Sequence, residues 1–166
     1  MHYLTLAVCL LIANGRTDEP TGIRFFGGTW QQALAEAKRQ NKPLYVDFYT
    51  TWCPPCKRMA REAFPNVSVG EKFNARFVNY QLNAEYGEGL ELAKRYAVVS
   101  YPTALYVLPT GEVVHRSVGY AGVTSMIQQA DLVLAMPKLR RSLGKRKRVN
   151  VDTLPETVIS PDSTNR

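Results

Sequence analysis

The sequence predicts an α/β domain: a central mixed sheet of four to five strands flanked by helices. Three observations predict it. The runs 43–50 and 103–108 are short, apolar and rich in β-branched and aromatic residues, as buried strands are. Between and around them, apolar residues recur at helical spacing. Pro109-Thr110-Gly111-Glu112 then reads as a turn that returns 113–118 as an antiparallel strand, which makes the sheet mixed.

The elements follow in order. Ile23, Phe25 and Phe26 form a short apolar patch in a polar, Gly-rich stretch and read as an edge strand. Thr29 with Gln32 is a capping-box pattern. Trp30, Ala33, Leu34 and Ala37 continue it as a helix whose apolar face includes Trp30, and Asn41-Lys42-Pro43 ends it. After the strand 43–50, a helix runs to about Phe64-Pro65, and a short helical stretch covers 68–75. The alternation in 77–82 is a strand, and Leu90, Leu92, Ala93 and Tyr96 support a helix over 88–96. Ile127, Ala130, Val133 and Leu134 place a last amphipathic helix at 124–136.

The chain has 166 residues, enough for one domain with a hydrophobic core and some tail. Its net charge of +7 is uneven. Residues 1–135 carry 13 basic and 11 acidic side chains, whereas 136–166 carry 8 and 3. The basic character therefore belongs mostly to the tail and gives no reason to expect nucleic acid as a partner. From Pro137 the periodicity stops, so 137–166 reads as a basic, disordered tail, a solvated end or one that touches an anionic membrane surface or an acidic partner. At the other end, 4–13 is an apolar run of ten, about half a membrane span and suited to a secretory signal. Ala13-Asn14-Gly15 offers small residues for cleavage after Gly15, although Met1-His2-Tyr3 lacks the usual basic residue. The expected organisation is a signal peptide at 1–15, one domain at 16–136 and the tail. Cys9 would be lost with the leader, leaving two cysteines.

Those two cysteines lie in Trp52-Cys53-Pro54-Pro55-Cys56, at the handover from the strand to a helix N-terminus. There the helix dipole and free N–H groups favour a thiolate, the form that attacks disulfides. Cys53 is expected to be the exposed nucleophile. A structural disulfide and half of a zinc site are the competing readings. Zinc needs about four ligands, and only His2 and His115 remain, without ligand spacing. Asp47 stands in an otherwise apolar strand. Burying a carboxylate costs several kcal/mol unless it is paired or protonated. It is either a group with a raised pKa and a role, or one that points outward or pairs with Lys57.

From Gly28 to Ala135 the chain resembles the thioredoxin-fold superfamily, on Val46-Asp47-Phe48, Trp52-Cys53-x-Pro55-Cys56-Lys57, Tyr101-Pro102-Thr103 and Val118-Gly119, in that order. The Asn41-Lys42-Pro43 entry looks most like exported bacterial members, which keep other extracytoplasmic proteins reduced. The resemblance implies a thioredoxin fold and a thiol–disulfide oxidoreductase acting on protein substrates with disulfides, with no metal or organic cofactor. It implies Cys56 as the resolving thiol, Asp47 as its buried proton relay, and a cis Pro102 behind a Tyr101 backbone that pairs with substrate. Trp52, Pro54, Tyr101 and Gly119 would form the docking surface. An upstream redox protein, such as a membrane thiol relay, would donate electrons to a periplasmic monomer. Pro54-Pro55 departs from the Gly-Pro of cytosolic thioredoxins and looks like the tryparedoxin pair. Oxidants and isomerases of the superfamily usually carry His there, so its absence leans toward a reductant. Oxidase, isomerase and a non-catalytic client-binding module remain the alternatives.

Overall fold

The computed structural model describes residues 21–144. The leader, Cys9 and residues 145–166 lie outside the described residues. Ten elements follow in order: α1 (Trp30–Gln40), β1 (Leu44–Tyr49), α2 (Pro54–Glu62), α3 (Val67–Arg76), β2 (Val78–Asn83), α4 (Gly87–Arg95), β3 (Thr103–Val107), β4 (Val113–Val118), α5 (Val123–Ala135) and α6 (Pro137–Gly144). The four strands form one sheet in the order β2-β1-β3-β4. β1 runs parallel to β2 and antiparallel to β3, and β4 returns antiparallel to β3.

β1 is central, with strands on both edges and helices on both faces. That is why Leu44 through Phe48 are all buried, and why their sequence does not alternate. Leu44, Val46 and Phe48 join Trp30, Ala33 and Ala37 of α1 and Leu92 and Ala93 of α4 in one core. Tyr45 turns the other way, to Met59 of α2, Val69 and Phe73 of α3, and Met126, Ala130 and Val133 of α5. The result is three layers with two cores, and the C-terminal end of β1 delivers the chain to α2 between them.

Local sequence accounts for the element ends. Both halves of the predicted capping box form. The Thr29 hydroxyl accepts the Gln32 N–H at 3.3 Å, and the Gln32 side chain accepts the Thr29 N–H at 2.8 Å. Glu88 of α4 adds a long-range cap, accepting the Trp30 N–H and the Tyr80 hydroxyl. Gly89 is required where α4 crosses β2, because a Cβ there would overlap the Asn83 carbonyl.

Two expectations are corrected. The edge strand around Ile23–Phe26 reduces to a single parallel bridge, Phe25 to Asn79 on β2. The tail does not begin at residue 137. Pro137 opens α6, Leu139 is buried in the second core, and Leu143 packs against it. The folded domain therefore reaches Gly144. The Leu139–Leu143 pair, one turn apart, gives this short basic helix an apolar side.

Candidate redox-active site

Cys53 is the N-cap of α2, with extended backbone angles (φ −71°, ψ 110°). Its Sγ accepts the N–H of Cys56 at 3.2 Å. Cys53 and Cys56 are joined as a disulfide with Cα atoms 5.3 Å apart, within the ordinary range. Pro54 and Pro55 occupy N1 and N2, the first positions of the helix, where a missing N–H breaks no intrahelical bond. The amide inventory of the first turn is short. The Cys53 N–H goes to the Thr50 carbonyl at 3.4 Å, and the two prolines have no N–H. The Cys56 amide is thus the one donor of this turn available to Cys53.

The expectation of an exposed Cys53 is corrected: it is 2% exposed, and Cys56 is 4% exposed. Capping turns Sγ inward over the helix, and the disulfide closes it against Cys56. The exposed members of the motif are Trp52, at 61%, and Pro54. Trp52 meets Tyr101 edge-on at 6.2 Å between ring centroids and donates its indole N–H to Glu85 at 2.9 Å. The Tyr101–Pro102 peptide bond is cis. The Pro102 carbonyl accepts the N–H of Gly119 at 2.8 Å, and Gly119 has φ +83°. The structure therefore brings Trp52 onto Tyr101 and Pro102 onto Gly119. Arg58 ties α2 to the same loop. Its guanidinium lies 5.1 Å from the Tyr120 ring centroid and donates to the Tyr120 carbonyl at 3.0 Å.

Asp47 is wholly buried. β1 is a central strand, so the alternative of an edge position facing solvent does not apply. One carboxylate oxygen, Oδ2, accepts the Gln81 amide at 3.0 Å from the paired position on β2. Burial pushes the carboxyl up to about 7, and the Gln81 hydrogen bond pulls the other way. Gln81 and Glu85 were not found by sequence reasoning. The Asp47–Gln81 pairing depends on strand register, and the Trp52–Glu85 contact depends on how two loops meet, so neither has a local signal.

The model of the thioredoxin-like domain family matches residues 30–134, and the chain belongs to that family. Among curated proteins, Thioredoxin H4 of Arabidopsis thaliana is 33% identical over 90 residues, covering 54% of this chain and 71% of its own length. The thiol:disulfide interchange protein DsbD of Pseudomonas fluorescens is 32% identical over 82 residues, 49% of this chain but only 14% of DsbD. Among solved structures, one from Bacteroides thetaiotaomicron, provisionally assigned as a disulphide-isomerase, superimposes with a TM-score of 0.62 at 40% identity, covering 69% of this chain and 94% of the other. A thioredoxin from Thermus thermophilus gives 0.61 at 26% identity, with coverage of 69% and 88%. The fold is the thioredoxin fold, and with its Cys53–Cys56 pair the chain is a thioredoxin-like thiol–disulfide oxidoreductase.

Proposed function

We propose that this chain is a reductant of protein disulfides in an extracytoplasmic, periplasmic compartment, working as a monomer. The observation that carries the direction is the first turn of α2. Two prolines leave Cys53 one backbone donor, and no His lies between the cysteines. A poorly supported thiolate gives up its electrons readily and favours the disulfide. Support for the compartment comes from the apolar run at 4–13 and the similarity to part of DsbD.

In the proposed cycle the Cys53 thiolate attacks a substrate disulfide and expels one substrate thiolate. Cys56 then attacks Sγ of Cys53 and releases the second. The substrate gains two electrons, and the pair closes as the disulfide. Asp47 takes the proton of Cys56, with a pKa suited to a general base. Trp52, Pro54, Tyr101 and Gly119 dock the substrate, with Pro102 presenting the Tyr101 backbone to an added strand. An upstream dithiol protein, such as a membrane thiol relay, restores the pair. The chemistry calls for no metal or organic cofactor, because the cysteines are the redox centre. The tail beyond Gly144 offers a basic contact to an anionic membrane surface.

The test is the reduction potential of Cys53–Cys56 against a dithiothreitol buffer, read by Trp52 fluorescence. A value near that of thioredoxin, about −270 mV, supports the reductant. A value near the oxidant end, about −120 mV, overturns it in favour of a disulfide donor. Cys56→Ser should accumulate mixed disulfides with substrate proteins, and a client-binding module with an idle disulfide would not.

A further inference from the structure

Gln81 stands between a sealed carboxyl and an open cleft. It faces Asp47 directly across the parallel β1–β2 pair and donates its amide to Oδ2 at 3.0 Å. The second oxygen, Oδ1, is buried with no hydrogen-bond partner among the described residues. Gln81 also lines a cleft of about 340 Å³, together with Thr50, Thr51, Cys56 and Lys57. A water takes about 30 Å³ and wants two to four polar partners, so this cleft has both the room and the groups to hold several. Asp47 has no exposure of its own, and Cys56 is 4% exposed. The side chain common to the carboxyl and to the wall that Cys56 shares is Gln81.

We propose that Gln81 is a positioning residue for the resolving step: its neutral amide holds the Asp47 carboxyl beside the Cys56 cleft without fixing the carboxyl's charge. This rests on the reading in which Asp47 is the base for Cys56. Neutrality is the relevant property. A cation at this position would hold the carboxyl ionised and weaken it as a base. An apolar side chain would leave both oxygens unpartnered and hold the proton on. Gln81 leaves the carboxyl able to exchange a proton near neutral pH, as its displacement to about 7 indicates.

The other groups on the surrounding elements fit this account. Tyr45 lies on the same strand and is pushed well up, first by burial and then by the Asp47 charge. β3 places Ala104 opposite Asp47 and Tyr106 opposite Tyr45. α2 contributes Cys56 and Lys57 to the cleft wall. α3 and α5 present apolar side chains to this side of the sheet. In the step itself the Cys56 proton passes to the Asp47 carboxylate. The Cys56 thiolate attacks Sγ of Cys53, the Cys53–substrate bond breaks, and the substrate leaves as thiolate. The proton then returns from Asp47 to the leaving thiolate or to solvent.

The experiment is stopped-flow reaction of the reduced protein with 5,5′-dithiobis(2-nitrobenzoate) across pH, comparing wild type, Gln81→Lys, Gln81→Leu and Asp47→Asn. The first thionitrobenzoate released reports attack by Cys53, and the second reports resolution by Cys56. Gln81→Lys should move the pH midpoint of the second phase down by about one unit or more, and Gln81→Leu should move it up. The first phase should keep its midpoint. The carboxyl carbon of Asp47, followed by NMR, should shift its titration in the same two directions. Slower rates with unmoved midpoints in both Gln81 variants would overturn the proposal and leave Asp47 as the base. An Asp47→Asn second phase with the wild-type pH profile would instead overturn the reading of Asp47.

Discussion

Asp47 is a wholly buried carboxyl whose proton equilibrium is shifted by the fold. Its carboxyl is pushed from the ordinary aspartate range up to about 7, with burial as the cause and the Gln81 amide as a partial offset. The folded protein therefore holds this proton more tightly than the unfolded chain, whose aspartate titrates at roughly 3.9. Below that pH both states are protonated and the penalty is absent. It grows as pH rises through the interval and is complete above about 7. The displacement corresponds to about 4 kcal/mol. The oxidised protein should accordingly become less stable from pH 5 to pH 8, and urea midpoints at the two values would show it. Asp47→Asn should flatten this dependence and gain about 2–4 kcal/mol at pH 8, since no charge is then buried. Equal wild-type midpoints at pH 5 and pH 8 would mean that the carboxyl titrates normally.

At the scale of elements, α2 and α6 make separate predictions. The first turn of α2 offers Cys53 one amide because N1 and N2 are both proline. Pro55→Ala restores the N2 amide, which in a capped helix points at the N-cap side chain. A hydrogen bond to a charged acceptor contributes about 1.5 kcal/mol or more, equivalent to roughly one pKa unit. The Cys53 thiol should therefore become more acidic by about that much, and the pair more oxidising. The pH dependence of iodoacetamide alkylation measures the first effect, and an unchanged profile would show that the N2 amide does not reach Sγ. In α6, Leu139 is 1% exposed and seals the second core below α5. Leu139→Ala should cost about 2–4 kcal/mol in denaturant unfolding, as a leucine in a packed core does. A cost under about 0.5 kcal/mol would return residues 137–144 to the tail, because exposed substitutions fall in that range.

For the molecule as a whole, the sequence carried those features that local chemistry determines. The capping box at Thr29, the hairpin turn after β3 and the β1 strand, apolar but for Asp47, are written in contiguous residues, and each forms as expected. The cysteine pair at a strand–helix junction was legible for the same reason. What was not legible depends on the assembled sheet or on a partner distant in sequence. Gln81 meets Asp47 only through the register of β1 with β2, and Leu139 of α6 is buried in a core built with α3 and α5. The burial of Cys53 belongs to this second kind, and it bears on the direction of exchange. Folding and disulfide formation are linked in a closed cycle, so the state that folding stabilises is the state the pair prefers. A disulfide carries no charge and suits a site where both cysteines are buried. The reduced pair has to keep a thiolate at Cys53 with one backbone donor, in the same nearly closed site. The oxidised protein should therefore resist denaturant better than the protein reduced with dithiothreitol. By the linkage, a gap of about 3 kcal/mol corresponds to roughly 60 mV of reducing poise gained on folding. The reverse order, with the reduced form more stable, is the signature of a strong oxidant, whose reduced state is the favoured one. It would turn the proposed electron flow around without changing any residue assigned to it.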